Sequence, residues 1–212
     1  MSTIAENQDA ILKLLKESFA GRVGFPWKEP EDKYLHGIRV AKLGLHLRDI
    51  IYPNQKDILC EDTFVVASYF HDICNGQDNH ETAGADYAVK LLAPYCSKQE
   101  LSEVHRLIAR HDSRVEKNKS ILPEDLKLLQ DADILDHIGS YSIWATFSEF
   151  AYHHKTPYDY AIQFTDGTFD RFAERFRKKI NYPESLAIYE EKISFEIEFA
   201  ERMLRELNGQ PR

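Results

Sequence analysis

The sequence predicts an all-α fold, an irregular helical bundle, and three observations carry that reading. Apolar residues recur at three- and four-residue spacing almost throughout, not in alternation. Glycine and proline sit mainly between the periodic segments, where they act as punctuation. No segment reads as a strand, and neither an internal repeat nor a low-complexity stretch interrupts the pattern.

The first helix is expected over about Ile4 to Phe19, with Ile11, Leu14, Leu15 and Phe19 on one face. Gly21, Gly24 and Pro26 then break the chain. A second helix, about Asp32 to Ile51, repeats Tyr34, Ile38, Ala41 and Leu45 on one stripe. His36, Leu43 and Leu47 make another, so this helix is expected to be covered on two sides. Pro53 ends it. Glu61 to Ile73 is apolar nearly all round, which predicts a buried helix stopped by Gly76. Asp78, with Glu81 three residues on, reads as a capping box opening the next helix, which carries Ala83, Ala85, Tyr87, Ala88, Leu91 and Leu92.

Pro94 closes that helix, and Ser97 with Glu100 forms a second capping-box signature. The helix behind it runs through Leu101, Val104, Leu107 and Ile108 to about His111. After a polar loop, Asp112 to Ser120, Pro123 suits a first helical turn, and its helix continues through Leu126, Leu128, Leu129, Ala132 and Leu135 to Gly139. Tyr141 to Tyr152 reads as helix, Tyr158 to Gly167 as irregular or a short helix, and Phe169 to Ile180 as helix. From Pro183 to Leu207 a long amphipathic helix carries Leu186, Tyr189, Ile193, Ile197, Ala200, Leu204 and Leu207, with Asn208-Gly209 and Pro211 as its stop.

Composition narrows the function classes. The 212 residues suit one domain, or one domain with a helical extension. Lys and Arg number 27 against 35 Asp and Glu, a net charge of −8, and no long basic run stands out. Duplex nucleic acid, which is bound by neutralising phosphates, is therefore an unexpected partner. A small anionic substrate is compatible, because a bound dication can reverse the local charge. The most apolar stretch, near Phe64 to Phe70, is far short of the ~20 residues of a membrane span, so no membrane partner is expected. Cys60, Cys74 and Cys96 fit neither a disulfide framework nor a zinc knuckle, and no signal-peptide pattern opens the chain; a reducing cytoplasm is the expectation.

Three stretches hold residues that helical packing does not explain. His36 lies near the start of the second helix. His71 and Asp72 adjoin at the end of the most apolar one. Asp133 sits in an otherwise apolar segment, Leu129-Gln130-Asp131-Ala132-Asp133-Ile134-Leu135. An ionised carboxylate delivered into the interior costs several kcal/mol unless something compensates it. A divalent cation does so, and neutral imidazole is the commonest metal ligand. Two His and two Asp suit Mn, Fe, Co, Ni, Mg or Zn, with coordination positions left open. Each residue alone also has a plain reading: a chance dipeptide, a capping His, a carboxylate bonded to a neighbouring helix.

The joint pattern resembles the HD superfamily of metal-dependent phosphohydrolases, whose signature is a His, then a His-Asp pair, then a distant Asp. The matching segments are His36-Gly37-Ile38-Arg39-Val40, Val66-Ala67-Ser68-Tyr69-Phe70-His71-Asp72-Ile73 and Gln130-Asp131-Ala132-Asp133-Ile134-Leu135-Asp136. The resemblance implies one domain over 1–212, with an HD core over about 33–139 and a C-terminal helical extension over 140–212. It implies a metal held by His36, His71, Asp72 and Asp133, with Asp131 the alternative for the last. His80 and His111 match positions that carry His in many relatives, where they bind a second metal, contact phosphate or transfer protons; both options stay open, as does a surface role. Arg39, one turn after His36, is a candidate to orient Asp72 or hold a phosphate oxygen, and Arg110 to meet the same anion; an ordinary solvated salt bridge is the alternative for each. His153 and His154 read as surface residues, and Asp136 as support behind the site.

The expected reaction is hydrolysis of a phosphate ester or phosphoanhydride by water that the metal activates, with Asp72 also taking the proton and His80 and His111 acting on the phosphate. Relatives of this size often act on nucleotides, so a small phosphorylated substrate, a nucleotide in particular, is the expected partner, and a homodimer is one option for assembly. The rival readings are an HD-type di-iron oxygenase, with His80 and His111 as extra ligands, and a catalytically silent nucleotide-binding module. An aromatic-rich insert, Trp144 to Phe169, is expected to pack the core.

Overall fold

The computed structural model describes residues 2–20, 32–112 and 122–210. The expected breakers at 21–26, most of the polar loop after Asp112, and Pro211 lie outside them. The described residues form ten α-helices, and no strand occurs among them. They fall into two compact units divided within one helix, between Asp133 and Ile134.

In the first unit α1 (Gln8–Phe19) lies on α2 (Asp32–Ile51) and α3 (Glu61–Phe70), α3 packs on α2 and α5 (Lys98–Arg110), and α4 (His80–Leu92) pairs with α5. The first turns of α6 (Glu124–Asp136) are pinned to α5 by the Arg106–Asp125 ion pair and by Gln130 Nε2, which donates to the Arg110 carbonyl at 3.3 Å. In the second unit the long α10 (Pro183–Leu207) touches each of α7 (Ser140–Tyr152), α8 (Pro157–Ile162) and α9 (Thr168–Arg177). Its core joins Ile143, Phe150, Tyr160 and Ala200, with Phe147, Phe164, Phe199 and Met203 against them. Much of the aromatic-rich insert is therefore packing, although Trp144 and Tyr158 stay exposed.

The burial of α2 differs from the expected stripes. Its buried line is His36, Gly37, Val40, Ala41, Gly44, Leu47 and Arg48, while Tyr34, Ile38 and Leu45 are only half-buried. The glycines explain the difference. A Cβ on Gly37 would lie 2.7 Å from the Tyr69 carbonyl oxygen, and one on Gly44 would lie 2.4 Å from the Phe64 ring. At both places α3 occupies the volume of the missing side chain, with its backbone at Gly37 and with the Phe64 ring at Gly44. Hydrophobic periodicity counts side chains and is blind to a contact made by their absence.

Helix starts were read with mixed success. Ser97 caps α5 as expected: its hydroxyl accepts from Glu100 N at 3.3 Å, and Glu100 Oε2 accepts from Ser97 N at 2.7 Å. Glu100 Oε1 also accepts from Ile4 N, ahead of α1, at 3.1 Å. Burial pushes the Glu100 carboxyl up, but these N–H and O–H donors outweigh it and hold it below the ordinary Glu value. A depressed carboxyl stabilises the fold above the unfolded pKa of about 4.3, and that contribution is lost as pH falls through the lower folded value. Ser97→Ala is expected to cost about 1 kcal/mol and lower Tm by roughly 2–4 °C, read by thermal unfolding at pH 7.

The box expected at Asp78 and Glu81 is not formed. The cap position of α4 is Asn79, in the left-handed region at φ 53°, with no side-chain bond to the helix. A box that was not foreseen opens α8: Thr156 and Asp159 bond reciprocally, with Pro157 in the first turn.

Candidate metal centre

Each candidate side chain stands at a helix end or on a buried helical line. α3 ends at Phe70, three residues short of the expected Ile73, so His71 and Asp72 begin a turn. The end of a helix leaves carbonyls without partners. Here the Ser68 carbonyl accepts from His71 Nδ1 at 2.7 Å. His111, just past α5, does the same with the Ile108 carbonyl, at 2.7 Å. In each ring the carbonyl makes Nδ1 a donor, so that in the neutral ring Nε2 is a lone pair aimed inward.

Those lone pairs converge. His36 Nε2 lies 3.2 Å from His71 Nε2. Asp133 Oδ1 lies 3.2 Å from His36 Nε2 and 3.6 Å from His71 Nε2. Asp72 Oδ1 stands 3.9 Å from His71 Nε2 and 3.8 Å from His111 Nε2. His36, His71, Asp72, His111 and Asp133 are all buried. Cis ligands of an ion with bonds of about 2.1 Å stand about 3.0 Å apart in an octahedron and about 3.4 Å in a tetrahedron. Two of the three His36–His71–Asp133 spacings, both 3.2 Å, fall in that range and the third, 3.6 Å, lies just above it; nitrogen and oxygen donors suit a borderline or hard dication. The Asp133 register is therefore the one that reaches the histidines; Asp131 is fully buried nearby in the same helix.

Asp72 belongs to two groups whose ligand atoms lie within 4.8 Å of one another: His36, His71 and Asp72, and Asp72, His80 and His111. His80 opens α4, half-buried, with its ring 5.4 Å from that of His111. Arg39 is half-buried on α2, and Arg110, also half-buried, immediately precedes His111. His153 and His154 are exposed, as expected, and Asp136 is buried.

The sequence reading missed two neighbours of the site. Lys33 Nζ lies 3.0 Å from Asp72 Oδ2, and Asn75 Nδ2 donates to the same oxygen at 2.7 Å. Both were within reach of sequence reasoning. Lys33 is one turn before His36 on the same helix, and Asn75 follows Asp72 by three in a turn. Burial drives the Asp72 carboxyl upward, but the charges of His71, Lys33 and His36 prevail and hold it well below the carboxylate range. Burial, aided by His71, pushes His111 below the ordinary imidazole value. At neutral pH Asp72 is thus ionised and His111 neutral.

Imidazole and carboxylate thus meet at the ends and on the buried lines of helices, in groups that could hold a metal ion. Residues 34–138 match the HD domain, and through them the chain belongs to the HD-domain family, a family of metal-dependent hydrolases. The whole chain also superposes on solved structures of low sequence identity. A predicted HD superfamily hydrolase from an uncultured Thermotogales bacterium shares 22% identity at a TM-score of 0.60, over 95% of this chain and 93% of that one. YpgQ of Bacillus subtilis shares 18% identity at a TM-score of 0.63, over 96% of this chain and 94% of that one. YpgQ has also been solved in complex with ADP, with the same identity and TM-score. These likenesses establish the fold. No curated protein matches the sequence significantly. Among the described residues no helix is long and apolar enough to cross a membrane.

Proposed function

We propose that the chain hydrolyses a phosphate ester or phosphoanhydride of a nucleotide, using a divalent metal held by His36, His71, Asp72 and Asp133. One observation carries the reading: the Nε2 atoms of His36 and His71 and a carboxylate oxygen of Asp133 lie within 3.2–3.6 Å of one another in the interior. Without a shared proton or cation, two such nitrogens repel. A dication bound there would lower the pKa of a water toward neutrality and polarise a phosphoryl oxygen.

The protein's own groups do the rest. Lys33 and Asn75 occupy Asp72 Oδ2, so Asp72 presents Oδ1 to the site. His111 is neutral, with Nδ1 committed to a carbonyl, so its Nε2 is the atom that takes a proton. His80, at the start of α4 with its ring 5.4 Å from that of His111, would meet a phosphate oxygen beside the N-terminus of that helix. Arg39 and Arg110 are assigned to the same anion. The ADP complex of YpgQ supports choosing a nucleotide as the substrate class.

The Asp72, His80 and His111 group favours a second reading at the same place, a second ion that shares Asp72 with the first. A screen settles both. Protein loaded in turn with Mn, Fe, Co, Ni, Mg or Zn is offered nucleoside mono-, di- and triphosphates, and bound metal is counted by mass spectrometry. Metal-dependent release of phosphate or pyrophosphate is the expected result. Two irons per chain with oxygen consumption would replace hydrolysis by the di-iron oxygenase. A nucleotide that binds and is never cleaved would leave a silent module.

A further inference from the structure

The second unit holds a buried acid that the metal centre does not use. Glu196, on the inward line of α10, is only 2% exposed. The Gly139 N–H and the Ser142 side chain, at the start of α7, both donate to its carboxylate. No salt bridge to it forms among the described residues. Lys192, one turn earlier, donates to the carbonyls of Leu135 and Ile138 at 2.8 and 3.1 Å; its charge draws the Glu196 carboxyl down, but burial outweighs it and pushes that carboxyl up to about 7. A carboxylate offers about four acceptor positions, so two stay open.

Glu196 lines a cavity of about 160 Å³ together with Ser142, Tyr160, Phe164, Phe169 and Phe172. Tyr160 is 2% exposed, and its hydroxyl has no hydrogen-bond partner, a rare condition for a buried O–H. Burial first, and then the Glu196 charge, push its phenol upward, so the acid and the hydroxyl sense one another. Phe164 and Phe169 stack at 4.1 Å, and Phe172 continues the row at 6.2 Å. A cap for α7 accounts for the two donors on Glu196. It does not account for the space, the orphan hydroxyl or the aromatic walls.

We propose that this cavity binds a small organic cation, a primary ammonium whose N–H groups reach the Glu196 carboxylate and the Tyr160 hydroxyl while its carbon chain lies along Phe164, Phe169 and Phe172. An ammonium has three donors and no acceptor, which suits two acceptor groups left partly unused. Phenylalanine faces attract cations, and more strongly where water is excluded. The volume equals about five waters at ~30 Å³ each, which admits a three- or four-carbon amine.

The test uses the full chain and needs neither metal nor turnover, so its outcome is separate from that of the hydrolase reading. ¹⁵N-labelled protein is titrated with propylammonium chloride and, in parallel, with propan-1-ol. Saturable shifts of the Gly139 and Ser142 amides with the amine, and none with the alcohol, are expected. Glu196→Gln is expected to weaken binding at least about tenfold, the loss of a charge-assisted bond. Should that variant lose its folded spectrum, Phe172→Ala at the exposed rim must weaken binding severalfold. Asp170→Asn, an exposed acid on the neighbouring turn of α9, must leave it unchanged. Equal response to amine and alcohol, no saturation, or wild-type affinity in both Glu196→Gln and Phe172→Ala would overturn the assignment.

Discussion

Asp72→Ala will empty the metal centre and lower metal-dependent hydrolysis by about 10³-fold or more, a loss of roughly 4 kcal/mol at ~1.36 kcal/mol per decade. The size follows from position. Asp72 is the residue common to the His36–His71 group and the His80–His111 group, so one substitution removes a donor from both. It also leaves Lys33, whose side chain is 14% exposed, without its carboxylate. Asp72→Asn keeps the shape but lacks the charge, for a metal and for Lys33 alike, so metal affinity must fall in both variants. Metal content by mass spectrometry and phosphate release are the measurements. Normal metal content and turnover in Asp72→Ala would end the proposed mechanism.

Gly37→Ala is the second large effect, and a paired substitution isolates its cause. The added Cβ would meet the Tyr69 and Ser68 carbonyl oxygens at 2.7 and 3.0 Å, which are backbone atoms of a packed helix and cannot step aside. Overpacking of this kind costs about 1–3 kcal/mol, or roughly 4–8 °C in Tm at ~2 kcal/mol. The separation it forces falls next to His36 and next to the carbonyl that orients His71, so metal affinity should drop along with stability. Gly84, buried in α4, is the control: its Cβ would find neighbours only at 3.6–3.7 Å. Gly84→Ala should be neutral or gain up to about 1 kcal/mol from its better helix propensity. If the two variants melt alike, the backbone contact between α2 and α3 is not what sets the spacing of the histidines.

What was legible in the sequence follows from the physics each signal reports. Long amphipathic helices stood out: Asp32–Ile51 and Pro183–Leu207 have the bounds that their periodicity and stops predicted. The joining of His36, His71, Asp72 and Asp133 was legible because their order and helical settings resemble the HD superfamily pattern; buried carboxylates in need of compensation pointed the same way. The Lys33 contact was within reach, one turn before His36, but a lysine at a helix start also has an ordinary solvated reading. The glycine line of α2 was hidden for the reason already given. At α4 the Asp78–Glu81 spacing satisfied the capping pattern, yet the chain enters through a left-handed Asn79, a backbone choice that side-chain spacing does not encode. The buried Glu196 looked like one more acid on a charged helix, because only the tertiary fold brings the start of α7 against it.

The carboxylate of Glu100 has a consequence for the very beginning of the chain. One oxygen closes the first turn of α5 and the other grips the amide of Ile4, whose side chain is itself 2% exposed. The leading residues are thus riveted to the middle of the sequence, and fraying at either place must break the same knot. Amide exchange at Ile4 should accordingly track local opening of α5 and not the free motion usual at a chain terminus.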